Sequence, residues 1–135
     1  MQTRIYLSHC CALKDDALKE TGIKVTPDKL YRSLPIRRFM KTCIERKVDW
    51  AIFSDRYGVW FPHLKHIWYD KPPDTVTADE FRKLLKSFSQ KLSGYAEIWF
   101  YCNYGRLHPF YRKLLSSTVL KKRIRLFCRL REIYL

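Results

Sequence analysis

No stretch of this chain approaches the roughly 18 consecutive apolar residues that a membrane-spanning helix needs. Its first residues, MQTRIYLSHCC, show no charged region followed by an apolar core and a small-residue cleavage site. The sequence therefore reads as intracellular, with a cytoplasmic location and no membrane partner expected. Cysteine spacing is equally negative. Cys10, Cys11, Cys43, Cys102 and Cys128 form an odd, scattered set without a C-x-x-C pair, which argues against both a disulfide framework and a zinc ribbon. The phosphate loops G-x-x-x-x-G-K-[ST] and G-x-G-x-x-G are missing. Acidic residues are scarce, with 13 Asp and Glu against 27 Lys and Arg.

What is present follows from that imbalance. A formal charge of +14 attracts polyanions from a distance. Nucleic acid or a nucleotide is the leading partner class. An anionic membrane surface ranks second, because only the last fifteen residues offer the long basic amphipathic helix that a peripheral binder uses. Plain solubility is the third reading of the same charge. At 135 residues, 47% hydrophobic and 16% aromatic, the chain is long and apolar enough for one domain, residues 1–135, with a real core.

Three strand-length apolar runs stand out: RIYLS at 4–8, VDWAIFS at 48–54 and AEIWFYC at 96–102. Helical patterns separate them. Ile36, Phe39, Met40, Cys43 and Ile44 recur with helical spacing, leaving Arg37, Arg38, Lys41 and Arg46 on the other side. Thr77 and Glu80 have capping-box spacing ahead of Phe81, Leu84, Leu85, Phe88 and Leu92, and Gly94 suits a C-terminal cap. A third helix opens at Pro109, a favoured first helical position. Strands alternating with helices predict an α/β fold: three layers, with a mostly parallel sheet of three or four strands covered on both faces. In RIRLFCRLR, Ile124, Leu126, Cys128 and Leu130 alternate with Arg123, Arg125, Arg129 and Arg131 as in a strand, while Leu120, Ile124, Phe127 and Tyr134 also make a helical stripe; both readings stay open. Residues 57–76, broken by Pro62, Pro72 and Pro73, read as a long loop packed down by Trp60, Phe61 and Trp68. Residues 121–135 form a basic C-terminal segment.

In a parallel sheet, ligands bind beyond the carboxyl ends of the strands. Ser8, His9, Cys10, Cys11 and Lys14 follow the first strand; Ser54, Asp55, Arg56, Tyr57 and Gly58 the second; Asn103, Tyr104, Gly105, Arg106 and His108 the third. Each group alone is an ordinary strand-ending turn. Together they place polar and reactive side chains on one edge.

The ordered set LSHCCALK, LYRS, FSDRYGVWFP and WYD resembles a small family of uncharacterised prokaryotic and phage domains, grouped as a domain of unknown function. That family has Cys-x-x-x-Lys after its first strand, Leu-Tyr-x-Ser opening a helix, Ser-x-[Lys/Arg]-Tyr-Gly-Leu after its second strand, and then Tyr-Asp. The matching positions are Cys10 and Lys14; Leu30, Tyr31 and Ser33; Ser54, Arg56, Tyr57 and Gly58; Tyr69 and Asp70. Val59 stands where leucine is usual, and Asp55 where a small residue is usual. The resemblance spans roughly residues 4–130 and implies an α/β nucleotide-handling fold, loosely similar to uracil-DNA-glycosylase-like and archaeosine-synthase-like cores. It implies no particular reaction.

The residues themselves suggest roles. Lys14 and Arg56 can bracket a phosphate or a carbonyl, Lys as a point charge and Arg as a fork, or can be plain surface charge. Cys10, with Lys14 and His9 near in sequence, is either a thiolate nucleophile or a packed thiol. Tyr57 and Tyr69 either stack on bases or pack under the loop with Trp60 and Trp68. Asp55 or Asp70 can act as a general base or simply cap and pair. The expected catalytic set is Cys10, Lys14, Ser54, Asp55 and Tyr57. The expected nucleotide or anion ligands are Lys14, Arg56, Tyr57, Tyr69, Tyr104 and Arg106. Arg37, Arg38, Lys41, Lys121, Lys122, Arg123 and Arg125 form the expected nucleic-acid face. No cofactor is expected, and no metal either, since His63 and His66 lack zinc-site spacing. Nucleotide or base chemistry, including base modification or a glycosylase-like reaction, is the first functional reading; a non-catalytic DNA- or RNA-binding module is the second.

Overall fold

The structure is a computed structural model and describes residues 3–102 and 107–134. Its elements run β1 (Arg4–His9), α1 (Pro27–Leu30), α2 (Leu34–Arg46), β2 (Asp49–Ser54), β3 (Gly58–Trp60), α3 (Ala78–Leu92), β4 (Glu97–Tyr101), α4 (Pro109–Ser117) and β5 (Ile124–Phe127). One sheet holds all five strands in the order β3-β2-β1-β4-β5. β1 pairs parallel with both β2 and β4, β5 pairs parallel with β4, and β3 alone is antiparallel.

Strand alternation divides the core into two layers. Ile5, Leu7, Ala51, Phe53, Ile98 and Phe100 point to one face, under Leu84, Phe88 and Leu92 of α3 and Leu114 of α4. Tyr6, Trp50, Ile52, Trp99 and Phe127 point to the other, under Ile36, Phe39, Met40 and Cys43 of α2. Strands buried on both faces explain the near-continuous apolar runs in the sequence. The α2 connection steps from β1 to β2 on one face, whereas α3 and α4 step the opposite way on the other, as right-handed crossovers require. The three-layer α/β expectation holds.

Three local expectations change. The loop expected at 57–76 begins with a strand: β3 turns back on β2 with Ser54 opposite Gly58 and Ile52 opposite Trp60. Three residues are too short a run to signal a strand by alternation. Gly94 does not form a left-handed cap, since among the described residues the glycines with positive φ are Gly22 and Gly58; the capping box of Thr77 and Glu80 is present. The C-terminal segment is a strand, but its buried side differs from the alternation: Phe127 is 1% exposed while Leu126 is 47% exposed, because β5 is an edge strand with little covering its α3–α4 side.

Gly58 takes φ +74° in the turn between β2 and β3, a conformation that costs a side-chain-bearing residue about 1–2 kcal/mol. A Cβ there meets Leu84 Cδ2 at 3.5 Å and Ser87 Oγ at 3.9 Å, both ordinary contacts. Gly58→Ala is therefore expected to destabilise by about 1–2 kcal/mol through backbone strain alone, measurable as a lower urea midpoint at unchanged m-value.

Candidate functional site

Parallel strands place their carboxyl ends together, and β1 and β2 do so beside the first turn of α4. Cys10 extends β1 by one more ladder bond, its N–H donating to Phe53 O at 2.9 Å. Asp55 opens the β2–β3 turn and is buried, 3% exposed. The Cys10 thiol donates to Asp55 Oδ1 at 3.4 Å and contacts the Tyr111 hydroxyl at 3.4 Å. Tyr111 sits in the first turn of α4, with His9 stacked on its ring at 5.2 Å between centroids.

A second hydrogen-bonded group lies directly behind. The Tyr31 and Tyr69 hydroxyls share a bond of 2.5 Å, and Ser54 Oγ donates to Tyr69 at 3.1 Å. Ser54 Oγ also accepts the N–H groups of Arg56 and Tyr57, so it shapes the turn that carries Asp55. An antiparallel bridge between Lys14 and Tyr31 fixes the segment after β1 to the end of α1. The Lys14 ammonium lies 4.4 Å from the centre of the Tyr69 ring.

These groups surround a cavity of about 320 Å³ lined by His9, Cys10, Lys14, Asp55, Lys71 and Tyr111, with Cys11, Ala12, Asp70, Pro72 and Pro73 completing it. Burial, followed by the charge of Asp55, pushes the Cys10 thiol up to about 11. Of the two readings of Cys10, thiolate nucleophile or packed thiol, the surroundings favour the packed thiol, which faces a carboxylate. Burial also raises Asp55 above the ordinary aspartate value, opposed by the Cys10 hydrogen bond and the charges of Lys14 and Lys71. Tyr31, Tyr69 and Tyr111 are raised by burial as well. The tyrosine hydroxyls of the cluster are thus held protonated, and Asp55 is the carboxyl among them.

The structure gathers Cys10, Lys14 and Asp55 of the expected residues around one cavity, with Ser54 and Tyr69 supporting it from behind. It does not bring Arg56 or Tyr57 there. Arg56 is exposed, with its guanidinium 5.5 Å from the Tyr57 ring centre. Tyr57 stacks on His66 at 4.0 Å, and its hydroxyl donates to Ile67 O, so it packs the loop rather than facing a ligand. Tyr69 is 4% exposed and has no free face for a base. Tyr104 and Arg106 lie outside the described residues. Tyr111 and Lys71 were missed by sequence reasoning; Tyr111 had a signal, since a helix opening at Pro109 right after a strand end points its first turn at the ligand edge.

Two further hollows adjoin. One of about 410 Å³ lies at the β1 and β4 ends, where the strand order reverses, against the start of α2; it is lined by His9, Cys11, Ser33, Pro35, Ile36, Tyr101, Cys102 and Cys128. An open groove of about 560 Å³ runs along the outer side of α2 past Arg37, Arg38, Lys41 and Ile44. The expected single basic face is split. α2 begins at the ligand edge, so Arg37 and Arg38 lie within a turn of it, whereas Lys121, Lys122 and Arg123 precede β5 at the opposite edge. There Arg123 donates to Ser93 O and Tyr95 O. Arg125 lies over the Trp99 ring at 4.5 Å, so its charge is partly used within the fold.

Among the described residues, no group of three or more His, Cys, Asp or Glu side chains could hold a metal ion, and no helix is long and apolar enough to cross a membrane. All five cysteines are free thiols. Comparison with family models, curated proteins and solved structures finds no match.

Proposed function

We propose that this chain handles nucleotides or nucleic acid, with base-directed chemistry such as base modification or glycosidic cleavage at the joined ends of β1 and β2. The observation that carries this reading is the cavity whose floor holds a buried carboxyl, Asp55, bonded to the Cys10 thiol. A buried carboxyl whose proton affinity is raised by burial is a candidate general acid or base. Glycosidic cleavage needs such a group to activate water or protonate the leaving base. The charge of +14 supports a polyanionic partner. The same charge, with the exposed Arg37, Arg38 and Lys41 along the α2 groove, favours as a second reading a module that binds the polymer without chemistry.

Gel shifts with single-stranded and duplex DNA and RNA, read alongside release of free base by chromatography, separate the two. Base release that is lost in Asp55→Ala while the shift persists marks the enzyme. A shift without any product marks the binding module, and no shift at micromolar protein removes the polymer as a partner. Binding is expected to weaken steeply between about 50 and 200 mM salt. Replacing Arg37, Arg38 and Lys41 together by alanine should lower the slope of log K against log salt by about 2–3. The same change at Lys121, Lys122 and Arg123 should leave the slope nearly unaltered, because those side chains sit at the far edge of the sheet. Equal effects from the two triple variants would show that the polymer does not follow the α2 side.

A further inference from the structure

We propose that the cavity at the ends of β1 and β2 receives a terminal phosphate monoester of a nucleotide, with the Lys14 ammonium as its counter-charge. The inference rests on the nucleotide reading above and narrows it to one chemical end group.

Lys14 is 8% exposed, yet it lines the cavity and makes no hydrogen bond or ion pair to any described residue through its ammonium. The Tyr69 ring 4.4 Å away offers it a π face, which attracts a cation but accepts none of its N–H donors in the plane where a ligand would sit. Its stem is covered while the ammonium itself keeps contact with solvent at the cavity, so an incoming anion meets an accessible cation held in place by its buried stem. The other charges facing the cavity do not fill that role. Lys71 is engaged by Thr75 O at 2.9 Å and Glu80 Oε1 at 3.1 Å. Asp55 turns Oδ1 to the Cys10 thiol and lies beyond ion-pair distance of Lys14. Asp70 is exposed at the rim. Lys14 is thus the one described lysine lining this cavity whose stem is buried and whose ammonium has no bonded partner.

Size decides which phosphate. A volume of about 320 Å³ is at the small end of ligand pockets, roughly 300–1,000 Å³. An internal phosphodiester brings a nucleoside on each side, more than this space holds; a monoester brings only one. Two sources share that chemistry, a free nucleoside 5′-monophosphate and a 5′-phosphorylated strand end.

Calorimetric titration of the full chain at low salt tests this, using nucleosides, their 5′-monophosphates, and short oligonucleotides carrying either a 5′-phosphate or a 5′-hydroxyl. The phosphate is expected to tighten binding about 10–100-fold, the range of a charge-assisted contact. Lys14→Met should erase that preference at unchanged circular dichroism and melting temperature, and Lys14→Arg should keep part of it. A preference confined to mononucleotides, or to strand ends, supports the proposal and identifies the source. Equal affinity for a nucleoside and its monophosphate in the wild-type chain overturns it, a result that needs no variant to fold. Retention of the preference in a folded Lys14→Met overturns it too. Oligonucleotides that bind regardless of their end group and of Lys14 overturn the phosphate site while leaving the nucleic-acid reading intact. Binding of none of the probes overturns both.

Discussion

Trp60→Ala is expected to lower the free energy of unfolding by about 3–5 kcal/mol, well above the loss expected for Gly58→Ala. Trp60 is fully buried on β3, pairs across from Ile52, and donates its indole N–H to Leu64 O at 2.9 Å. Tyr31, Tyr57 and His66 meet its ring edge-on at 5.8, 5.6 and 4.8 Å. Truncation removes that packing, leaves a void, and frees the loop that its hydrogen bond ties down. The loss is a large share of the roughly 5–15 kcal/mol that stabilises a typical domain, so urea denaturation should show a midpoint lower by roughly 2 M. Function should suffer through the same contacts. Tyr31 and Tyr69 stand between Trp60 and Lys14, and the loop beyond carries Lys71, Pro72 and Pro73 into the cavity wall. A change below about 1 kcal/mol would mean that β3 and the loop do not pack around Trp60 in this way.

Asp55→Asn is expected to act in opposite directions on stability and chemistry. Burial lifts the Asp55 carboxyl above its unfolded value, so between the two values the folded chain binds the extra proton. Stability then falls as pH rises through that window, and the deficit persists above it. Asparagine keeps an acceptor for the Cys10 thiol and carries no charge. Melting temperature at pH 7 should therefore rise, with a gain in the common range of about 0.5–2 kcal/mol for stabilising changes, and the gain should vanish below about pH 4, where unfolded aspartate is also protonated. Base release, if Asp55 is its general acid or base, should fall by about 10²–10⁴-fold. A less stable variant at pH 7 would contradict the burial cost, and undiminished base release would remove Asp55 from the chemistry.

Much of the fold was legible because burial writes itself into periodicity. α2, α3 and α4 begin within two residues of the positions that apolar spacing, the capping box and Pro109 point to. The strands β1, β2 and β4 read as apolar runs because helices cover both faces of the sheet. β3 was not legible: three residues after a turn carry no periodic signal, and their strand character comes from pairing with β2. Gathering residues at the strand ends found Cys10, Lys14 and Asp55, which chain topology places on one edge. It misjudged Tyr57 and Arg56, because adjacency in sequence does not say which way a turn points successive side chains. Ser54, fixed by two backbone N–H groups, aims Asp55 inward and leaves Arg56 in solvent.

Sequence by itself determined the α/β class, the basic charge and the edge of the sheet where the polar strand-end residues gather, since these depend on local pattern and composition. Tertiary structure alone decided that the Cys10 thiol meets Asp55 rather than a cation, that the basic residues divide between opposite edges, and that Lys14 is buried without a bonded partner. Those are outcomes of strand order and side-chain direction. They join residues tens of positions apart, and only packing sets their distance and the solvent left between them.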